Sequence, residues 1–185
     1  MPPKAVKTIR DLIFWEYAKL ISGAALSDKK NFGFIMYNFK ELQSGKKEWS
    51  EILREDLSVD MTKCVYCNRV EDLTNDHIVP KRQCHFLEIH NIVKACKSCN
   101  SSKSDTDLIE WWGLERRYEI PRIVIGKYLK LLYLCHNCRG TLDKEDINND
   151  NELNLLDLGA IFKGPCKRAV ADVHKECPES VSGFR

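Results

Sequence analysis

The 185 residues hold 43% hydrophobic and 30% charged side chains with a formal net charge of +2, a balance that suits a soluble globular chain able to bury a real core in one compact domain or two small ones. That charge, with a pI near 8.0, is too mild to argue for nucleic acid alone, so any such contact must come from a local basic surface. Arg10, Asp11, Glu16 and Lys19 break the N-terminal apolar run, which excludes a signal h-region and a membrane span, and the nine cysteines then point to a reducing, cytoplasmic setting where paired cysteines are more often metal ligands than disulfides.

Pro2 and Pro3 mark a loose start. From Lys4 to about Leu26, the residues Val6, Ile9, Ile13, Tyr17, Leu20 and Ile21 recur at three- and four-residue steps and predict one face of a helix. A less regular segment from Asn31 to Leu42 carries Phe34, Ile35, Asn38, Phe39 and Leu42, and Gly45 ends it. Ser50 to Val59 reads as a third helix with Trp49, Ile52, Leu53 and Leu57 inward. Leu73–Val79 and Asn91–Ala95 are strand candidates joined by an irregular loop, and a helix starts near Ser98, because Asn100, Lys103 and Asp107 then share one side. Leu108, Ile109, Trp111 and Trp112 form the apolar end of that helix or the turn after it, and read as core rather than as a base-stacking platform.

Pro121 suits the first turn of the next helix, whose buried stripe of Ile120, Val124, Tyr128, Leu131 and Cys135 ends before Gly140. Cys135 and Cys138, with Cys166, His174 and Cys177, could bind a second zinc, but cysteines three apart on a helix share a face and pack as small apolar groups, which is the better reading. Residues 143–152 are polar and turn-like, Leu153–Phe162 is a modest helix, and Gly164 onward reads as an extended tail.

The stretch Cys64–Lys103 organises the rest. It begins and ends with a Cys-x-x-Cys pair, Cys64/Cys67 and Cys96/Cys99, and two such pairs can close a tetrahedral four-thiolate zinc site. The interval 68–95 is longer than the roughly 15–20 residues of a plain zinc ribbon, and it contains Asp76-His77 and Asn91, with Asn100 directly after the last cysteine. Cys-x-x-Cys, Asp-His-Ile-Val-Pro, Asn-Ile-Val and Cys-x-x-Cys-Asn-x-x-Lys, in this order, resemble the HNH endonucleases, a branch of the ββα-metal nucleases.

The resemblance implies an enzyme that hydrolyses phosphodiester bonds in DNA: double-stranded DNA is the implied substrate, with no membrane and with a homodimer as a permitted assembly. His77 is the implied general base, since an imidazole with an ordinary pKa of about 6.5 is largely neutral and basic near working pH. Asp76 and Asn100, a carboxylate and an amide oxygen, are the implied holders of a catalytic Mg2+ or Mn2+. Adjacent strand residues point to opposite faces, so Asp76 and His77 reach one site only if the strand ends or bends there, and Pro80 is consistent with an end. Many family members carry His where this chain has Asn100, which leaves the preferred metal open. Asn91 is implied to bond backbone across the loop that presents His77, because an Asn side chain meets both a donor and an acceptor. Lys103, with Lys81 and Arg82, and Lys94 and Lys97 nearby, is a candidate for phosphate contact.

The expected fold is α+β and mainly helical. A zinc-stapled ββα-metal motif over 61–113 is flanked by an N-terminal helical region, 1–60, and a C-terminal helical region and tail, 114–185. The competing reading is a non-catalytic zinc-ribbon module that binds nucleic acid or protein. It explains the cysteines but leaves Asp76-His77, Asn91 and Asn100 as coincidence.

Overall fold

Two short antiparallel strands, β1 (Leu73–His77) and β2 (Ile92–Cys96), form the frame on which the middle of the chain is built. In this computed structural model, which describes residues 2–25, 31–48, 62–80 and 91–163, the register pairs Leu73 with Cys96, Asp76 with Val93 and His77 with Ile92. β1 stops at His77, two residues earlier than the apolar pattern predicts. Ile78 and Val79 leave the ladder because Asn91 takes over their backbone groups, as described below.

Helices supply most of the remaining structure, so the fold is mainly helical α+β. α1 (Ile9–Ala25) and α2 (Phe32–Gln43) precede the strands. α1 begins at Ile9 rather than Lys4. Its first free amides already have partners there: Asp11 N–H donates to the Thr8 hydroxyl, while Ile9 and Arg10 donate to the carbonyls of Lys144 and Leu142. Besides the expected Ile9, Ile13, Tyr17 and Ile21, α1 also buries Leu12, Trp15 and Ala18. It packs against α2 and against two later helices, Arg122–Arg139 and Leu155–Ala160, so more than one side is covered. The Asn31 side chain caps α2 by accepting from Phe34 N–H at 3.0 Å.

After β2 the expected single helix is two. α3 (Lys97–Lys103) ends at Ser104, whose φ of +49° cannot continue a helix, and α4 (Leu108–Trp112) starts on Asp107 as its N-cap. The run Ser104-Asp105-Thr106-Asp107 explains the break, since short polar side chains bond local backbone more readily than they extend a helix. Asp107 is therefore not on the side of α3 with Asn100 and Lys103. Its carboxylate accepts from Ile109 N–H and from the Tyr128 hydroxyl, both at 2.9 Å, and burial raises its pKa.

A 3-10 helix (Leu114–Glu119) leads to α5 (Arg122–Arg139), which follows Pro121 and ends on Gly140 at φ +64°. The predicted stripe of Val124, Tyr128, Leu131 and Cys135 is buried, as are most positions between them. α6 (Leu155–Ala160) closes the described chain, with an Asn154/Asp157 capping box that sets its start after Leu153. The core runs from Val6 to Ile161 and draws on residues before, within and after the strand pair. Among the described residues no helix is long and apolar enough to cross a membrane. The helix expected over 50–59 and the tail from Gly164, with Cys166, His174 and Cys177, lie outside the described residues.

Candidate active site and metal centre

The four cysteines meet. The Sγ atoms of Cys64, Cys67, Cys96 and Cys99 all lie within 4.8 Å of one another, with Cys67 and Cys96 at 3.7 Å. Zinc–sulfur bonds of about 2.3 Å in a tetrahedron put sulfurs roughly 3.8 Å apart, so these four thiols fit a zinc ion. Backbone geometry brings them there. The first knuckle turns on Asn68 at φ +62°, with Cys64 N–H donating to Arg69 C=O and Val65 N–H to Lys94 C=O of β2. The second pair straddles the junction of β2 and α3, where the Cys99 N–H points at Cys96 and draws its thiol down to about 7. Cys135, by contrast, is buried in the core, and Cys138 is disulfide-bonded. Among the described residues the four-cysteine group is the one metal-ligand cluster of its kind.

Asp76 and His77 sit at the last two positions of β1. Just beyond them, Asn91 bonds the chain twice with one side chain: its Oδ1 accepts from Val79 N–H at 2.8 Å and its Nδ2 donates to Val79 C=O at 2.7 Å. A third bond, Ile78 N–H to Asn91 C=O at 2.9 Å, completes the clip. This arrangement ends β1 at His77 and fixes the backbone that follows it. The His77 imidazole is half-buried and makes no side-chain hydrogen bond among the described residues.

Asn100 approaches β1 from α3. Its Nδ2 donates to the Thr74 hydroxyl at 2.9 Å and to Asn75 C=O at 3.1 Å, beside Asp76. With the amide nitrogen so occupied, Oδ1 is the atom left to face a cation. Asp76 is 3% exposed. Its Oδ2 accepts from the Tyr66 hydroxyl at 2.7 Å, and its Oδ1 lies 3.4 Å from Lys103 Nζ. A carboxylate oxygen has lone pairs beyond those two contacts, so the donor set of Asp76 and Asn100 still suits a hard divalent ion.

Lys103 corrects an expectation. It has no exposed surface, and its ammonium donates to His77 C=O at 2.6 Å besides facing Asp76. A buried ammonium must be met by acceptors, and here the strand end supplies them, so Lys103 does not offer its charge to a phosphate at the surface. Lys97 is exposed and Lys94 half-buried, while Lys81 and Arg82 lie outside the described residues. Trp111 and Trp112 are partly buried and pack on the core, with the Tyr66 ring at 5.0 and 6.0 Å from theirs.

Tyr66 and Thr74 are the contacts that sequence reasoning missed. Nothing in a tyrosine between knuckle cysteines signals that its hydroxyl reaches a carboxylate ten positions on, because that meeting depends on the zinc fold. Thr74, which also donates to Ala95 C=O at 3.2 Å, reads in sequence as an ordinary strand residue.

Two antiparallel strands followed directly by a helix, with four thiols gathered at one point and β1 ending on a histidine, have the element order of a ββα-metal module. Residues 64–108 match the family model described as HNH endonuclease, so this stretch is similar to that family. Neither the curated proteins nor the solved structures gave a significant match.

Proposed function

We propose that the chain is a metal-dependent endonuclease that hydrolyses phosphodiester bonds in double-stranded DNA. His77 is the general base, Asp76 and Asn100 hold Mg2+ or Mn2+, and Cys64, Cys67, Cys96 and Cys99 hold a structural zinc. The observation that carries this reading is the pair of hydrogen bonds between the Asn91 side chain and the Val79 backbone, because a zinc ribbon that merely binds has no need to fix the backbone after a strand-end histidine. The match of the segment to a nuclease family supports it.

In the reaction, the imidazole of His77 takes a proton from water as the new oxygen–phosphorus bond forms, and the bond from phosphorus to the 3′ oxygen breaks. A divalent cation held by Asp76 and Asn100 would supply charge stabilisation for the phosphate and for the leaving 3′ oxygen, which takes up a proton from solvent. Asn91 keeps the His77 backbone in place through Val79, and Asn100 is anchored beside Asp76 by Thr74 and Asn75. Products then carry a 5′-phosphate and a 3′-hydroxyl.

Zinc-loaded protein incubated with supercoiled plasmid is expected to cut in Mg2+ or Mn2+ and to leave those ends. Linear product formed without accumulation of nicked plasmid would fit a homodimer that cuts both strands together. Plasmid left intact in both metals but retarded on a gel would overturn the nuclease reading in favour of a zinc-ribbon binding module.

A further inference from the structure

We propose that Tyr66 and Lys103 are positioning residues, a buried clamp that holds the Asp76 carboxylate and the His77 backbone in fixed relation to the zinc knuckle. The proposal rests on Asp76 being a cation ligand, as read above. Both arms of the clamp start at zinc ligands. Tyr66 lies between Cys64 and Cys67, and Lys103 is one helical turn beyond Cys99 and Asn100 on α3.

Tyr66 is 9% exposed, with its ring T-shaped to Trp111 and tilted against Trp112. A phenylalanine would pack there as well. What the hydroxyl adds is its 2.7 Å bond to Asp76 Oδ2. The hydroxyl is the donor in that bond, since an ionised carboxylate can only accept. Lys103 grips the other oxygen at 3.4 Å and the His77 carbonyl at 2.6 Å with one ammonium. Two donors on two different oxygens, from two different elements, set the plane of the carboxylate and leave its unused lone pairs to meet a cation in one orientation.

The two arms differ in sign toward that cation. Lys103 brings a positive charge that competes for Asp76, whereas Tyr66 brings a neutral donor that holds the carboxylate against that pull. Losing the hydroxyl therefore lets the carboxylate swing to Lys103 and weakens cation binding. Losing the ammonium removes the competitor but frees the His77 carbonyl, which lowers the rate of cleavage rather than the affinity for metal.

The test is Mn2+ binding to zinc-loaded full-length protein, followed by the electron paramagnetic resonance of free Mn2+, alongside plasmid cleavage. Tyr66→Phe is expected to weaken Mn2+ binding about tenfold, the worth of one hydrogen bond to a charged group, with zinc content unchanged. Val65→Ala, a change in the same knuckle at a side chain that does not contact Asp76 by hydrogen bond, is expected to leave Mn2+ affinity alone. Unchanged affinity in Tyr66→Phe, or an equal loss in Val65→Ala, would overturn the clamp. Lys103→Met, if it folds, should slow cleavage at saturating Mn2+ without weakening Mn2+ binding, and the reverse split would remove Lys103 from the proposal. Wild-type protein that binds Mn2+ and responds to Tyr66→Phe yet cuts nothing would sink the nuclease reading and leave the clamp standing. Wild-type protein that binds no Mn2+ would overturn both.

Discussion

Asn91 does two jobs with one amide, and its replacement should show both. Asn91→Ala leaves the N–H and C=O of Val79 without the partners they have now, and Val79 is fully buried. Each buried group so stranded costs about 1–3 kcal/mol. The variant should therefore lose about 3 kcal/mol in urea unfolding of the zinc-loaded protein, with cleavage lost as well, whereas Asn91→Asp, which can still accept from Val79 N–H, should lose less. Asp76, His77, Asn91 and Asn100 could be picked out from the sequence because a compound pattern marks them. Lys103 could be named but not placed, since the same Asn-x-x-Lys spacing serves a solvated lysine and a buried one. Only the end of β1, brought under α3, decides between the two.

The strand pair and α3 depend on the thiols more than on their own length. β1 and β2 are five residues each and α3 is seven, too short to persist alone, and the four gathered Sγ atoms are where a zinc ion would join them. Stripping the zinc with a chelator should abolish cleavage even in excess Mg2+ and lower the thermal midpoint, and zinc added back should restore both. Cleavage that survives complete zinc removal, verified by metal analysis, would contradict this. The order of two strands and a helix is readable from the cysteine spacing and the two apolar runs. The break at Ser104 was not, because Asn100, Lys103 and Asp107 keep a helical step through it, and the cue lay instead in the polar run 104–107. Similarly, β1 ended early for a reason outside itself, the reach of Asn91.

The packing of the helices around this module is the least readable part. Periodicity showed which faces of α1 and α5 are apolar, but not that α1 would meet α2, α5 and α6, nor that the loop after α5 would take the first amides of α1. His136 records that packing. It has no exposed surface, its Nε2 faces Leu158 C=O at 3.1 Å and its Nδ1 the Thr141 hydroxyl at 2.8 Å. Burial pulls its pKa down to about 4. A folded-state pKa below the unfolded value of about 6.5 means that the contribution to stability is fully present above pH 6.5 and is lost as pH falls toward 4, up to about 3 kcal/mol in all. Urea unfolding at pH 7 and pH 4.5 should show this loss, and His136→Gln should show a smaller difference between the two. The comparison between variants removes the acid sensitivity that the zinc thiolates contribute to both. The most direct test of the account remains the cleavage of plasmid DNA by His77→Ala beside the wild type, in Mg2+ and in Mn2+. Loss of cutting by at least a hundredfold, with zinc content and unfolding midpoint unchanged, is the predicted result, and undiminished cutting by the variant would contradict the role given to His77.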